Sequence, residues 1–317
     1  MADVEVNQRK LISFVSPCYN EEGNVDELYN RIVAVWQQLP EYDFELIIID
    51  NASVDSTVLR LKALAKMDSR LKIIVNTRNF GHIRSPYWGM LQARGDAIVY
   101  LASDLQDPPE HTLEFIRQWE KCYKIVLGVK PVSQENRLFS SMRKFYYRTL
   151  NRISDISLIN NATGFGIYDR IVIEHVRHIA DPYPYFRGLI CELGYDIKTI
   201  EFEQPRRSRG FSKNNIYTLY DIAMLGVVSH SRVPIRLAAA LGFFTGLGSI
   251  VIAIVYLILK LIYWHSFPMG IAPLVIGMFF MFGIILAFIG LLGEYIGSIH
   301  TYLQNRPVVV EKERINF

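Results

Sequence analysis

The first part of the chain alternates short apolar runs with longer segments whose apolar residues recur at helical spacing. The apolar runs cover residues 11–15, 44–49, 71–75 and 97–101. The helix-period segments between them cover residues 25–39, 58–65 and 86–93. Strands that are apolar throughout and separated by amphipathic helices are typical of a parallel sheet covered by helices on both faces. The pattern therefore predicts an α/β fold.

In such sheets ligands bind beyond the carboxyl ends of the strands, so the residues that follow each run are informative. Three of these loops are polar and carry acids, at residues 16–22, 50–55 and 103–110. None of them is a glycine-rich phosphate-binding loop, which argues against ordinary dinucleotide or ATP binding. Carboxylates at this edge favour recognition of a base and ribose, with the pyrophosphate charge balanced by a divalent cation and basic side chains. The alternative is that Asp50, Asp55 and Asp104 cap helices and turns.

A different pattern occupies the carboxyl-terminal part, where 57 consecutive residues, 237–293, contain one charged side chain, Lys260. Lys260 separates two uncharged stretches of 23 residues each, 237–259 and 271–293. A helix of that length is about 35 Å long and crosses a hydrocarbon core of about 30 Å. The pattern predicts a two-helix transmembrane hairpin, and the alternative is a pair of helices buried in a soluble core.

The flanking charges indicate how this hairpin is oriented. The connection between the two stretches has only Lys260 and His265 as cations, whereas basic residues flank the outer ends, at Arg232, Arg236, Arg306, Lys312 and Arg314. By the positive-inside rule, the soluble domain and both termini are cytoplasmic. Glycines at positions 242, 246, 248, 290, 293 and 297 allow close helix packing, within the hairpin or in a homo-oligomer such as a dimer or tetramer.

Composition agrees with a soluble domain joined to a membrane segment. The chain of 317 residues is 50% hydrophobic, but outside residues 237–293 about 25% of the residues are charged, as in soluble domains. A net charge of +3 is too small to indicate nucleic acid as a partner. The three cysteines, Cys18, Cys122 and Cys191, fit neither a disulfide framework nor a zinc site, which favours a reducing compartment. The polar amino terminus does not read as a signal peptide.

Two further stretches suggest contact with a lipid surface. Residues 137–153 place apolar side chains at helical spacing among arginines and lysines, which predicts an interfacial helix, with a core-facing helix as the alternative. Residues 214–236 are interpreted as a juxtamembrane amphipathic helix. The basic run at 206–213 is interpreted as a phosphate clamp beside anionic headgroups, or as a loop that becomes ordered with its ligand.

Taken together, the loops resemble those of family-2 glycosyltransferases of the polyprenyl-phosphate type, which include dolichol-phosphate mannose synthases and bactoprenol glucosyltransferases. The motifs that carry the resemblance are Pro17-Cys18-Tyr19-Asn20-Glu21-Glu22, Asp50-Asn51-Ala52-Ser53-Val54-Asp55, Arg78-Asn79-Phe80-Gly81, Asp104-Leu105-Gln106-Asp107-Pro108-Pro109-Glu110, Phe186-Arg187-Gly188-Leu189 and Gly210-Phe211-Ser212-Lys213. The resemblance covers nearly the whole chain.

The resemblance implies a fold and a division into domains. The fold is the GT-A (nucleotide-diphospho-sugar transferase) type, a Rossmann-like mostly parallel sheet, followed by interfacial helices and the transmembrane hairpin. The implied domains are a cytoplasmic catalytic domain at 1–213, the juxtamembrane helix at 214–236, the transmembrane helices at 237–297 and a cytoplasmic tail at 298–317.

The resemblance also assigns roles to individual residues. The implied nucleotide-sugar site consists of Pro17, Tyr19, Glu21, Asp50, Ser103 and Asp104. The implied ligands of Mg²⁺ or Mn²⁺ are Asp104 and Gln106. The implied catalytic set is Asp104, Lys130, Arg137 and Arg207. The implied contacts of the acceptor phosphate are Arg207, Arg209, Ser212 and Lys213.

The sequence departs from the family pattern at two places. Relatives usually have Asp-Ala-Asp where this chain has Ala102-Ser103-Asp104, and Gly-Asp-Phe-Arg where it has Thr163-Gly164-Phe165-Gly166. Each departure removes an acid, and Asn161 and Thr163 offer neutral hydrogen-bonding groups instead. The departures indicate a subgroup with another donor sugar, a weaker dependence on metal, or a loss of activity.

The implied reaction is transfer of one sugar from a UDP-sugar, or a GDP-sugar, to undecaprenyl or another polyprenyl phosphate at the bacterial inner membrane, for modification of cell-envelope glycans. A phosphate monoester is largely dianionic at neutral pH, so this acceptor requires no general base. It requires alignment and neutralisation of the leaving diphosphate, and we expect inversion. The alternatives are a scaffold without turnover and a processive polysaccharide synthase, although the Gln-x-x-Arg-Trp motif and additional spans of the latter are not found.

Overall fold

The computed structural model describes part of the chain, namely residues 9–130, 159, 161–205, 224–226, 228, 231, 233–263, 271–304 and 306–317. The predicted interfacial helix, the basic run at 206–213 and most of the predicted juxtamembrane helix lie outside these residues. The same holds for five predicted site residues, Arg137, Arg207, Arg209, Ser212 and Lys213.

The first half of the described chain confirms the predicted alternation of strands and helices. The strands are β1 (Leu11–Cys18), β2 (Asp43–Asp50), β3 (Leu71–Asn76) and β4 (Ala97–Tyr100). The helices between them are α1 (Val25–Trp36), α2 (Thr57–Met67) and α3 (Gly81–Gln92). Helix α1 shows why the pattern is informative, since Leu28, Ile32 and Val35 are buried at a spacing of three to four residues and form one face.

After β4 the order of elements changes. A short 3₁₀ turn at Pro109–His111 leads into α4 (Thr112–Glu120) and then into β5 (Ile125–Val129). The described chain continues with β6 (Ala162–Asp169), α5 (Arg170–Ile179), α6 (Phe186–Glu192) and β7 (Ile197–Glu201). Beyond these lie α7 (Val233–Ile262), α8 (Ile271–Leu303) and a last strand, β8 (Glu311–Ile315).

All eight strands form one mixed sheet in the order β7-β5-β6-β4-β1-β2-β3-β8. Strands β4, β1, β2 and β3 pair in parallel, as do β5 and β7. Strand β6 is antiparallel to both of its neighbours, and β8 is antiparallel to β3. Because Tyr100 at the end of β4 pairs with Gly166, the first residues of β6 extend past the carboxyl end of β4.

Each face of the sheet is covered by a separate apolar cluster. Phe14, Ile48 and Phe115 belong to one cluster, whereas Val15, Ile49 and Tyr168 belong to the other. Neighbouring residues such as Phe14 and Val15 fall in different clusters because successive side chains of a strand point to opposite faces. Both faces are therefore buried, as the continuous apolar runs of the sequence predict.

The start of α3 corrects one sequence-based boundary. Proline favours the first turn of a helix, so the sequence predicts a start at Pro86, but the helix begins five residues earlier at Gly81 and contains Pro86 in its interior. Two side-chain amides satisfy the first free N–H groups of this helix. The Phe80 N–H donates to Asn51 Oδ1 and the Gly81 N–H donates to Asn79 Oδ1, both at 2.8 Å.

The described residues fall into two compact units. The sheet unit holds the described residues up to 205 together with 304–317, and the hairpin unit holds those from 224 to 303. Residues predicted as a tail, 298–317, are divided between them. The first six continue α8 to Leu303, and the later ones supply β8 to the sheet.

Helices α7 and α8 of the hairpin unit are long and apolar. Within them, Val233–Leu259 and Phe280–Leu303 have the length and composition required to cross a membrane. Their apolar side chains are exposed, for example Phe243 and Leu286 at 68% each. This exposure argues against the alternative of helices buried in a soluble core. Helix α8 is ten residues longer than the predicted stretch, which ended at residue 293.

Candidate active site

The loops after β1 and β2 hold each other in place through reciprocal hydrogen bonds. The Asn20 N–H donates to Ser53 Oγ at 2.8 Å, and the Val54 N–H donates back to Asn20 Oδ1 at 3.0 Å. The Glu21 N–H donates to Thr57 Oγ1 at 2.9 Å. Asn20 and Ala52 both have left-handed backbone conformations, with φ of 56° and 63°. The two loops therefore form one rigid rim of the sheet edge.

Asp50, a predicted member of the nucleotide-sugar site, lies fully buried at the end of β2. Its Oδ2 accepts the Ser53 main-chain N–H at 2.9 Å, and its Oδ1 accepts both the Ser53 hydroxyl and the Cys18 thiol. Burial and the Asp50 charge raise the pKa of Cys18 well above its ordinary value, so this thiol stays protonated. Asp50 shapes the loop around it, and its contact with a base stays a prediction.

A network of amide side chains connects the β2 loop to the loop after β3. Asn51 donates to Asn79 Oδ1 at 2.8 Å and to the Gly81 carbonyl at 3.1 Å. Asn76, only 1% exposed, donates to Asn51 Oδ1 at 3.2 Å and to Ser85 Oγ at 3.1 Å. The Arg78-Asn79-Phe80-Gly81 motif is thereby fixed beside the acid-bearing loops.

The loop after β4 carries the predicted metal site. The Ser103 hydroxyl donates to the Pro17 carbonyl, which joins this loop to the β1 loop. Asp104 is half-buried, and its Oδ1 accepts the Gln106 N–H at 3.1 Å. Between these two residues Leu105 adopts a left-handed conformation with φ of 60° and is buried in the core. The tight turn places Asp104 and Gln106 together at the carboxyl edge of the sheet.

Asp107 is a second carboxylate of this loop, to which the sequence reasoning assigned no role. It is 4% exposed, and its Oδ2 accepts the Ala102 N–H at 3.0 Å. Its pKa is raised to about 6, chiefly because burial disfavours the charged form, and the nearby Asp104 charge adds to this effect. Lys130 and Arg187 oppose it with their positive charges. The edge therefore concentrates charges of both signs.

Lys130 and the start of β6 complete the described part of the site. Strand β5 ends at Val129, and the Lys130 N–H donates to the Asn161 carbonyl at 3.2 Å. Two residues further along, the Thr163 carbonyl accepts a hydrogen bond from Arg187 at 3.1 Å. The neutral residues Asn161 and Thr163, predicted to fill the space of a missing acid, lie at the carboxyl edge.

The structure thus brings the described members of the predicted site to one edge of the sheet. These residues are Pro17, Tyr19, Glu21, Asp50, Ser103, Asp104, Gln106 and Lys130. Sequence reasoning missed the structural role of Asn51 and the proximity of Asp107 and Arg187. All three lie in motifs that carry the family resemblance, so membership in those motifs was the available signal. Only the fold shows which groups their side chains approach.

Comparison with known proteins decides the family. The model of "Glycosyl transferase family 2" matches residues 13–177, just over half of the chain. The chain belongs to glycosyl transferase family 2. The match runs from within β1 to within α5, and thus includes the loops after β1, β2, β3 and β4 described above. The protein is accordingly a glycosyltransferase with a fold of the GT-A type.

Individual relatives match this family-2 enzyme over nearly its whole length. The uncharacterised glycosyltransferase YkcC of Bacillus subtilis is 33% identical over 94% of this chain and 92% of its own. The SfII prophage-derived bactoprenol glucosyl transferase of Shigella flexneri is 30% identical over 95% of this chain and 97% of its own. Among solved structures, glucosyl-3-phosphoglycerate synthase of Mycobacterium tuberculosis, in complex with Mn²⁺, UDP and phosphoglyceric acid, is 16% identical over 69% of this chain and 76% of its own, with a TM-score of 0.45.

Proposed function

We propose that this enzyme transfers a single sugar from a nucleotide-diphosphate donor, preferably a UDP-sugar, to a polyprenyl phosphate at the cytoplasmic face of the bacterial inner membrane. The observation that carries the proposal is that one chain joins a carboxylate-lined sheet edge to two apolar helices long enough to cross a membrane. An enzyme with this composition can keep a soluble donor and a lipid acceptor within reach of one site. The Shigella bactoprenol glucosyl transferase, similar over 97% of its length, supports the same assignment.

The donor site is proposed at the edge formed by the loops after β1, β2 and β4. Pro17, Tyr19 and Glu21 line the pocket for base and ribose, and Asp50 contacts the edge of the base. Because hydrogen bonds of Asn20, Ser53 and Ser103 join these loops, their hydrogen-bonding groups are positioned before the nucleotide binds. Such preorganisation lowers the entropic cost of binding.

A divalent cation, Mg²⁺ or Mn²⁺, fits the oxygen donors of the β4 loop. Asp104 and Gln106 supply hard oxygen ligands of the type that these ions prefer. In the described part of the chain, no three His, Cys, Asp or Glu side chains form a group that holds a metal ion. Donor phosphate oxygens would complete the coordination shell, as is usual for Mg²⁺. When bound, the ion supplies positive charge against the departing diphosphate.

The acceptor chemistry explains why the missing acids at positions 102 and 164 are compatible with turnover. A polyprenyl phosphate attacks the anomeric carbon as an oxyanion, so no residue needs to remove a proton. The protein has to align the acceptor in line with the leaving group and stabilise the charge that develops on it. Lys130 is the described cation proposed for that second task. Single displacement of this kind inverts the anomeric configuration.

The proposal is tested by incubating the purified full-length protein with Mn²⁺ or Mg²⁺, a short polyprenyl phosphate and either UDP-sugars or GDP-mannose. The expected product is a negatively charged glycolipid whose anomeric configuration is opposite to that of the donor. Asp104→Ala is expected to lower turnover by at least about 100-fold, the size of effect seen when a preorganised charge-stabilising group is lost.

Asp26→Ala is the matched control, because among the described residues Asp26 forms only an exposed ion pair, with Arg60. It should leave turnover unchanged. Nucleotide binding without product would favour the alternative of a scaffold that has lost activity. Retained anomeric configuration would rule out single displacement, and full activity of Asp104→Ala would show that the metal lies elsewhere.

A further inference from the structure

Arg187 projects from a firmly packed element at the edge of the site. It lies in the first turn of α6, between Phe186 and Gly188. Phe186 packs edge-on against Tyr168 with ring centroids 5.3 Å apart and against Tyr87 at 6.5 Å. Gly188 and Leu189 are buried, whereas Arg187 is exposed. The main chain of Arg187 is therefore fixed, while its guanidinium faces solvent.

The guanidinium reaches the same edge of the sheet as the acidic loops. Arg187 Nη2 donates to the carbonyl of Thr163 at 3.1 Å. Thr163 lies in the part of β6 that extends beyond the end of β4, and the β4 loop that follows this end carries Asp104 and Asp107. One hydrogen bond thus aims the side chain across the carboxyl edge.

The charge of Arg187 also acts on the neighbouring loop after β3. It contributes to lowering the pKa of His82, for which burial is the larger cause. His82 is the second residue of α3, so Arg187 lies within electrostatic reach of the loop that precedes this helix. Among the described residues its hydrogen-bond partner is the Thr163 carbonyl, and none of their carboxylates forms an ion pair with it.

We propose that Arg187 binds a phosphate oxyanion of the reacting substrates. A guanidinium carries five N–H donors in a planar fork that matches phosphate oxygens, and a single bond to Thr163 leaves most of them available. The inference rests on the proposed function, which supplies two phosphates to this edge, the donor diphosphate and the acceptor monophosphate. The shared chemistry is a phosphate oxyanion held by two hydrogen bonds from Arg187, next to the charge of Lys130.

The competing explanation is that Arg187 has a structural role alone and stabilises the packing of α6 against β6 through its hydrogen bond to the Thr163 carbonyl. The two explanations differ in their dependence on charge. Arg187→Gln keeps a side-chain donor but removes the charge and the planar fork, and Arg187→Lys keeps the charge alone. A matched control is Arg177→Gln, because Arg177 also donates to a main-chain carbonyl, that of Leu91 at 2.5 Å. Arg177 lies in α5, which begins at the opposite end of β6.

The experiment has two arms on the purified full-length protein. The first measures the dissociation constants of UDP and of uridine in the presence of Mn²⁺. The second measures the KM for a short polyprenyl phosphate during turnover. Arg187→Gln is expected to weaken UDP binding or to raise the acceptor KM by about 10- to 100-fold, as for loss of hydrogen bonds to a charged group. Uridine binding and the thermal unfolding midpoint should stay at the wild-type values, and Arg187→Lys should recover part of the loss.

The pattern of losses identifies the source of the phosphate. If Arg187→Gln weakens only the binding of UDP, Arg187 is assigned to the donor diphosphate. If the variant raises only the acceptor KM, Arg187 is assigned to the lipid phosphate. Wild-type values of Arg187→Gln in both arms, or equal losses for Arg187→Gln and Arg177→Gln, would overturn the inference. If wild-type protein binds UDP but makes no glycolipid, the proposed function fails, and the UDP arm alone then decides the role of Arg187. If wild-type protein binds no UDP and makes no product, both fail.

Discussion

Glu45 and Asp50 are both carboxylates of β2, but they act at opposite ends of the strand. Asp50 orders the loop at the carboxyl edge, whereas Glu45 connects β1, β3 and the chain before β4 at the other end. Glu45 is 3% exposed and accepts hydrogen bonds from the Ser13 hydroxyl, from Lys72 Nζ and from the Arg94 N–H at 2.8 Å. Its burial would raise its pKa, but the bonds from Lys72, Ser13 and Arg94 outweigh burial, and the pKa is lowered.

The lowered pKa of Glu45 predicts how stability depends on pH. A carboxylate with a folded-state pKa below the ordinary value of 4.5 adds stability above that value, and the contribution is lost as the pH falls through the folded-state pKa. Glu45→Gln should lower the free energy of unfolding of the sheet unit by about 3 kcal/mol at neutral pH, because Lys72 loses its partner. The difference from wild type should shrink as the pH falls below about 4.

Unfolding midpoints from neutral to acidic pH, measured in detergent, check this prediction. Glu27→Gln serves as the control, because Glu27 is exposed and its ion pair with Arg31 is long, at 3.8 Å. Exposed pairs of this kind contribute little to stability. A Glu45→Gln effect that is the same at all pH values would contradict the electrostatic explanation.

At the scale of elements, β8 adds to the sheet an edge strand that the sequence did not predict. It covers β3, whose Ile73, Ile74 and Val75 would otherwise form an open apolar edge. Asn316 donates to the carbonyls of Ala65 and Leu71, both at 2.9 Å, and thus ties the end of the strand to α2 and β3. Thr77, next to the Arg78-Asn79-Phe80-Gly81 motif, donates its N–H to the Val310 carbonyl at 2.9 Å. The last strand therefore supports a loop of the candidate active site.

Removal of residues 308–317 should accordingly impair the sheet unit and the active site together. The truncated protein loses the whole β3–β8 ladder and buries less apolar surface, so its unfolding midpoint should fall by at least about 5 °C. Its affinity for the nucleotide should also fall, because the loop after β3 loses its support. Thermal unfolding and UDP titration of the full-length and truncated proteins measure the two effects.

Asn316→Ala is a milder variant of the same test, since it removes two hydrogen bonds and leaves β8 in place. It should lower the midpoint by less than the truncation does. A truncated protein with wild-type stability would show that β8 contributes nothing to the sheet.

At the scale of the whole molecule, the chain leaves the sheet unit, forms α7 and α8, and returns to the sheet unit as β8. The sheet unit is thus covalently connected to both ends of the hairpin unit. This arrangement suits the proposed acceptor, because a lipid phosphate stays at the membrane surface while the nucleotide sugar arrives from solution. In the proposed topology, the sheet unit and both ends of the hairpin lie on one side of the membrane.

Native cysteines provide a test of that topology. Cys122 is exposed and Cys18 is buried, so in a Cys191→Ser background a thiol reagent should label Cys122. A membrane-impermeant maleimide should label it only after spheroplasts are permeabilised, because the sheet unit is proposed to be cytoplasmic. A Ser266→Cys variant, in the predicted connection between the two apolar stretches, should show the opposite behaviour. Labelling of Cys122 in intact spheroplasts would show that the orientation is opposite to the one proposed.

The sequence by itself determined the features that depend on local periodicity. Near-continuous apolar runs predicted the buried strands β1 to β4, and uncharged stretches of 23 residues predicted α7 and α8. The sheet edge at which the predicted site residues lie followed as well, since a parallel sheet brings the carboxyl ends of its strands to one edge. The order of the sequence motifs also indicated the glycosyltransferase family.

Only the tertiary structure decided the features that depend on contacts between distant residues. The early start of α3 depends on amide oxygens of Asn51 and Asn79, which outweigh the local preference of Pro86 for a first turn. Strand β8 has charged residues at most positions and is recognised as a strand only through its pairing with β3. Arg187 approaches Thr163 because α6 packs next to β6. Hydrogen bonds and packing between residues far apart in sequence leave no periodic signal, so these three features required the fold.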